Sequence, residues 1–206
     1  MQELLILGVW SHAREMALIA ARVNQLEPRW KVIGFVAPPG QEATGTLDGL
    51  PVLPWPATLE NYPEAGLVPD YGWPQRQELP RERLVSLVDP STFVGPGVVI
   101  GTGCVVYPHC FIGAGARIGD LLFCLSSSVI NHDDVIEDRV TLAAGATLAG
   151  GVHVETGSYL GQGCLVRQNL CIGRDSLIGM GAVVVADVAP ESVVIGNPAR
   201  RLRANT

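Results

Sequence analysis

Lysine is all but missing from this 206-residue chain: Lys31 is the only one, and the net charge is −6. With no basic stripe to neutralise a phosphate backbone, nucleic acid is excluded as a partner. Long apolar runs are missing as well. No stretch approaches the roughly 20 residues needed to span a bilayer, and the opening "MQELLILGVW" has neither a basic leader nor a cleavage-site pattern, which points to a cytoplasmic protein with no membrane span. The cysteines, Cys104, Cys110, Cys124, Cys164 and Cys171, include no Cys-x-x-Cys pair. An odd number without close pairs suits buried thiols in a reducing compartment, not a disulfide framework or a zinc cluster.

What is present is a repeat. Stepping by six from Val88 gives Val94, Ile100, Val106, Ile112, Ile118, Cys124, Ile130, Ile136, Leu142, Leu148, Val154, Leu160, Val166, Ile172, Ile178 and Val184. The next residue is often glycine (Gly95, Gly101, Gly113, Gly119, Gly161, Gly173, Gly179), and the fourth after is often small, as at Cys104, Ala116, Ser128, Ala146, Ser158 and Ala182. A helix of 3.6 residues per turn would smear such a period around its surface, and a simple strand repeats every two. A short strand followed by a turn accounts for it: the aliphatic residue enters a shared core, the small residue fits beside it, and glycine relieves the turn. This is the hexapeptide repeat of a parallel β-helix. Its hexads run from 88 to 185 without an insertion; the repeat resembles that of the hexapeptide acyltransferases, in which three hexads complete one triangular coil, and this implies between five and six coils and a prism roughly 25 Å long at the spacing of paired strands.

Residues 1–53 read differently. "ELLILG" is a buried strand, Met16, Ile19, Ala20, Val23 and Leu26 recur at helical spacing behind Ser11 as N-cap, and "KVIGFV" is a second strand. This order opens a small Rossmann-like α/β unit. Eight prolines between Pro51 and Pro90 make 54–87 a connector with little regular structure beyond one short helix within Leu79–Leu87. A tail, 186–206, closes the chain.

Four polar residues interrupt the repeat: Asn131, His132, Asp133 and Asp134. A neutral imidazole titrates near pH 7 and can accept a proton from an attacking amine or hydroxyl, and a neighbouring carboxylate can fix its tautomer. Asp134 falls where the repeat wants a small residue. An inward carboxylate is costly unless hydrogen-bonded, so the coil is expected to be displaced there. His109 and His153 lie toward other sides of the triangle by hexad count, so no metal site is expected. No cysteine or serine is placed beside His132 as a nucleophile.

Together the α/β unit, the hexads, "NHDD" and the closing "GNPARRL" resemble the hexapeptide-repeat sugar O- and N-acetyltransferases, which include sialic acid O-acetyltransferases and UDP-4-amino-sugar N-acetyltransferases. The resemblance implies an N-terminal α/β unit followed by a left-handed β-helix. It also implies an acetyl-CoA-dependent enzyme that modifies a sugar, bound as a nucleotide conjugate, for a surface glycan. It makes His132 the general base and Asp133 its supporting carboxylate. Gly150, one 18-residue coil beyond His132, supplies the backbone N–H for the thioester oxygen. Coenzyme A would lie along the prism in the cleft between subunits of a homotrimer, near Gly150 and Gly151, with Arg200, Arg201 and Arg203 toward its phosphates.

Gly8, His12 and Ala13 of "GVWSHA" match that family's turn over the acceptor, and Gly8, Ser11 and His12 are expected to contact it. Trp10 and Ser11 stand where that family carries glycines, however, and "FVAPPG" stands where it commonly carries Asp. These departures keep open a non-nucleotide acceptor, and a catalytically silent scaffold or binding trimer is the alternative of another class.

Overall fold

The computed structural model describes residues 1–205, which form two compact units, Met1–Asp89 and Pro90 onward.

The first unit is a five-stranded sheet with a helix. β1 (Gln2–Leu7) leads into α1 (Ser11–Leu26) and β2 (Trp30–Val36); the short β3 (Thr46–Leu47) and β4 (Leu50–Leu53), the helical turn α2 (Ala57–Asn61) and β5 (Gly66–Pro69) follow, with sheet order β3-β4-β2-β1-β5. β1 is the parallel neighbour of both β2 and β5, which explains its uninterrupted apolar run: Leu4 to Leu7 are fully buried. Met16, Ile19 and Ala20 of α1 are buried as the helical spacing predicts, whereas Val23 is only half-buried and Leu26, the last residue of the helix, is exposed.

Two expectations are corrected in this unit. Ser11 is the first residue of α1 and not its cap; the cap is Trp10, in extended conformation, and no side chain bonds the free N–H groups. Segment 54–87 is also more than a connector, because β5 completes the sheet, while two 3-10 turns at Arg76–Glu78 and Arg81–Arg83 stand in place of the expected helix. β5 has only four residues and ends in Pro69, which a strand end at the sheet's border tolerates.

The second unit is a parallel β-helix. From Val94 to Val184 each hexad's aliphatic residue, or Cys124, is the second residue of a two-residue strand. The strands stack on three faces. The first carries 93–94, 111–112, 129–130, 147–148, 165–166 and 183–184; the second runs from 99–100 to 171–172; the third passes through 123–124, 141–142 and 159–160 and is extended by Ser192–Ile195 and the antiparallel Arg200–Ala204. Side chains at the hexad positions from Ile112 to Val184 are buried and form the core, whereas Val94 and Ile100 belong to the first coil and remain partly exposed.

The small residue of each hexad has a second task. Ser128, Ser158 and Ser176 donate their hydroxyls to Ala143, Gly173 and Ala189 carbonyls, each at 3.0 Å, and Cys110 donates its thiol to the Leu125 carbonyl at 3.2 Å. All five cysteines are free, and burial pushes the Cys164 thiol up to about 12, so it stays protonated and inert.

Candidate active site

His132 stands on the turn that joins the first face, at Val129–Ile130, to the second, at Val135–Ile136. Directly one coil on is Gly150. The two positions are so close that a Cβ built on Gly150 would collide with His132 Nε2 and Cε1, and the next residue, Gly151, donates its N–H to the His132 carbonyl at 3.0 Å. The ring lies across the glycine because glycine alone leaves room for it.

Asp133 reaches the ring: its Oδ2 is 2.9 Å from His132 Nδ1. It does so from a left-handed backbone conformation, φ +61, at a place in the turn where the same edge has Gly97, Gly115 and Gly151 with φ of +73, +72 and +73. Aspartate is among the few side chains that adopt this region readily. With Nδ1–H donated to the carboxylate, Nε2 carries the free lone pair and faces Gly150. Both side chains are open to solvent, at 66% and 75% exposure, so a substrate can reach them. The Gly150 N–H lies between two ladder donors, Ala149 to the Val166 carbonyl and Gly151 to the His132 carbonyl, and among the described residues it has no acceptor of its own.

Asp134 points into the prism and is fully buried. Its Oδ1 accepts the Val152 N–H at 2.8 Å and its Oδ2 the Asn131 N–H at 2.7 Å. Burial raises its carboxyl to about 6 against those two bonds and the charge of His132. These donors satisfy the carboxylate, so the expected disturbance is confined to the strand before it: Val135 and Ile136 keep their register with His153 and Val154, while Val129–Ile130 pairs with the next coil through Val129 and Thr147 alone.

The same edge continues upward. Arg167, Gln168 and Asn169 border a groove with Ala149, and Asn169 donates its N–H to the Gly150 carbonyl at 3.1 Å. Above them Arg200 and Arg201 line a further groove with Val184 and Asp187. Arg167 is a candidate that hexad counting passes over, since it sits where many hexads carry glycine and has no motif around it.

His109 and His153 do not join the site. His109 occupies another corner, where its N–H bonds Ser91, and His153 lies on the second face with Nε2 2.8 Å from Glu137 Oε1. Among the described residues no group of three or more His, Cys, Asp or Glu side chains could hold a metal ion.

A second cluster lies within the first unit, at the ends of β1 and β5, where a parallel sheet reverses its strand order and forms a natural crevice. Gly8 is required there: its φ is +143, and an added Cβ would lie 3.0 Å from Asp70 Cβ. His12 packs edge-on against Tyr71, with ring centroids 5.2 Å apart, and its Nδ1 is 4.0 Å from Asp70 Oδ1. Asp70 is buried and its carboxyl is raised by that burial; Oδ1 accepts the Gly72 N–H, but Oδ2 meets no hydrogen-bond donor among the described residues. Ser11 is exposed on the first turn of the helix beside them. Asp70 and Tyr71 fall in the segment that the sequence marks as connector, so nothing in the primary pattern singles them out.

No family model matches the chain. One curated relative is 36% identical over 113 residues, an acyl-[acyl-carrier-protein]–UDP-N-acetylglucosamine O-acyltransferase of Campylobacter concisus; the match takes in 52% of this chain and less than half, 43%, of that protein's length. Solved structures match over nearly everything. The acetyltransferase domain of PglB from Neisseria gonorrhoeae superimposes with a TM-score of 0.86 at 25% identity, covering 98% of this chain and 100% of that one. PerB from Caulobacter crescentus, solved in complex with CoA and GDP-perosamine, gives 0.86 at 28% identity, covering 98% and 97%. WeeI from Acinetobacter baumannii gives 0.83 at 26%, covering 98% and 100%. A small α/β unit and a left-handed parallel β-helix give the protein the fold of these sugar acetyltransferases, which it resembles over 98% of its length.

Proposed function

We propose that the chain transfers the acetyl group of acetyl-CoA to an amino or hydroxyl group of a nucleotide-linked sugar destined for a surface glycan, acting in the cytoplasm as a homotrimer. The observation that carries this reading is the His132 imidazole lying across Gly150 with Nδ1 held by Asp133. It is the constellation that acyl transfer from a thioester needs.

Acetyl-CoA supplies an activated acyl carbon. The protein's part follows from its own groups. His132 Nε2 takes the proton from the acceptor's nitrogen or oxygen as that atom bonds to the acyl carbon. Asp133 keeps the tautomer and stabilises the imidazolium, and Gly150 N–H donates to the oxygen that gains charge. As the carbon–sulfur bond breaks, the imidazolium returns the proton to the departing thiolate. Nothing covalent forms on the enzyme. Gly151 leaves space for the donor beside Gly150, and Arg167, Arg200 and Arg201, which line the grooves beyond it, suit its phosphates.

The acceptor is assigned to Gly8, Ser11 and His12, with Asp70 and Tyr71 added. The N-terminus of α1 favours an anion, and the unmatched Asp70 oxygen suits an N–H or O–H of the acceptor. The homotrimer is supported by the first face, whose Phe93, Phe111 and Leu165 are 55%, 40% and 47% exposed beside the His132 turn. A non-nucleotide acceptor is the second reading, favoured by Trp10 and Ser11 in place of the glycines that would let backbone approach a pyrophosphate.

The test is CoA release from acetyl-CoA with a panel of UDP- and GDP-linked amino sugars and the corresponding free sugars. Release with the nucleotide conjugates, lost by on the order of 10²–10⁴ in His132→Ala, is expected. Release that survives His132→Ala removes the base; response to free sugars alone removes the nucleotide. No binding of CoA at all leaves a silent scaffold.

A further inference from the structure

We propose that Asp134 is a positioning residue: it takes the Asn131 N–H out of the coil-to-coil ladder and grips the Val152 N–H one coil on, and so fixes the His132 turn against the Gly150 turn. The proposal rests on the assignment of His132 as base.

The ladder itself shows what Asp134 changes. On this edge the residue after each hexad position donates its N–H to the coil above: Gly95 to the Ile112 carbonyl and Gly113 to that of Ile130 at 2.8 Å, Ala149 to that of Val166 and Arg167 to that of Val184 at 3.0 Å. Asn131 is the exception. Its N–H goes to Asp134 Oδ2, and the strand pairing at this storey retains only Val129 with Thr147, without Ile130 and Leu148. Val152 departs in the same way. Ala116, its counterpart two coils earlier, bonds back to the Gly113 carbonyl at 3.3 Å, whereas Val152 bonds Asp134 Oδ1.

One buried carboxylate therefore spans both sides of the site. On one side it holds the residue next to His132, whose own N–H is taken by Asn131 Oδ1 at 3.1 Å; on the other it holds the residue two beyond Gly150. A serine in this slot would donate to a carbonyl of the neighbouring strand, as Ser128 does, and could not take two N–H groups from two coils. Among the described residues the charged groups acting on Asp134 are His132 and Asp133 of its own turn. A shift of about 1 Å between base and oxyanion donor is enough to slow transfer severely.

The test is NMR of the histidine-labelled full chain across about pH 4 to 8, with no acetyl-CoA or acceptor present. It therefore reads Asp134 whether or not acetyl transfer is the activity. The His132 ring signals are expected to carry an inflection as Asp134 ionises, and Asp134→Asn to remove it while the signals of His12, His109 and His153 are unchanged. Asp134→Ser serves if the Asn variant does not fold. In turnover with the acceptor that gives CoA release, both variants are expected to lose at least about tenfold in kcat with KM for acetyl-CoA within about twofold. His132 signals identical in wild type and variant would overturn the proposal, as would a variant that only melts earlier. If every acceptor in the panel is silent while the inflection behaves as stated, acetyl transfer fails and the positioning role stands.

Discussion

The imidazole of His132 lies across Gly150, one coil away, in the space that a Cβ at position 150 would fill. Gly150 has no left-handed backbone requirement, so Gly150→Ala is not strained in itself; what it must displace is the ring. We expect kcat to fall by about 10²–10³, the loss typical of a disturbed oxyanion donor, with the melting temperature nearly unchanged. Steady-state kinetics beside thermal melting separates this from unfolding.

Asp134 makes stability depend on pH in an uncommon direction. Burial raises its carboxyl from the usual value of about 4 to about 6, so the folded protein holds the proton more tightly than the unfolded chain. Its contribution is therefore most favourable below about pH 4, declines as pH climbs to about 6, and is level above, a change on the order of 3 kcal/mol. Denaturant melts of wild type and Asp134→Ser across that window check it. Parallel curves would show that the group does not titrate there.

Arg167 borders the groove immediately above Gly150. If the donor's phosphates pass along this edge, Arg167→Ala should raise KM for acetyl-CoA about tenfold and leave kcat alone, since a charge-assisted hydrogen bond contributes about 1.5–3 kcal/mol. Calorimetry with CoA gives the same quantity without an acceptor. An unchanged affinity would move the phosphates elsewhere, toward Arg200 and Arg201 alone.

Phe93 and Phe111 stack at 5.0 Å on the exposed first face. Phe111→Asp places a charge in the middle of that apolar patch. If the proposed trimer assembles on this face, sedimentation should show it falling to monomers, and CoA release should fall with it if the neighbouring subunit completes the cleft. A trimer that survives the substitution would exclude this face as the interface.

Much of this was legible in the primary pattern, and for a physical reason. A prism core accepts one kind of side chain at one position in six, so Val94 to Val184 announce themselves, and the 18-residue coil makes His132 and Gly150 neighbours by arithmetic alone. Geometry inside a turn is another matter. Whether Asp133 reached its neighbour's ring depended on a left-handed φ that no spacing encodes, and the effect of Asp134 depended on two N–H groups, one of them a full coil away. In the first unit, β1 and α1 carried strong apolar periods, while β5 is four residues among prolines. Asp70 and Tyr71, which follow it, were hidden for that reason.

The coils also make the second unit a gauge. Each circuit of eighteen residues adds about 4.8 Å of height and nothing else, so Arg167 stands one circuit above Ala149 by construction. Excising one circuit above Gly150 would draw everything beyond it down by that increment without touching His132, and, if the proposed donor runs along this edge, its phosphates would then overshoot Arg200 and Arg201. On that reading, length of donor and length of chain are the same measurement.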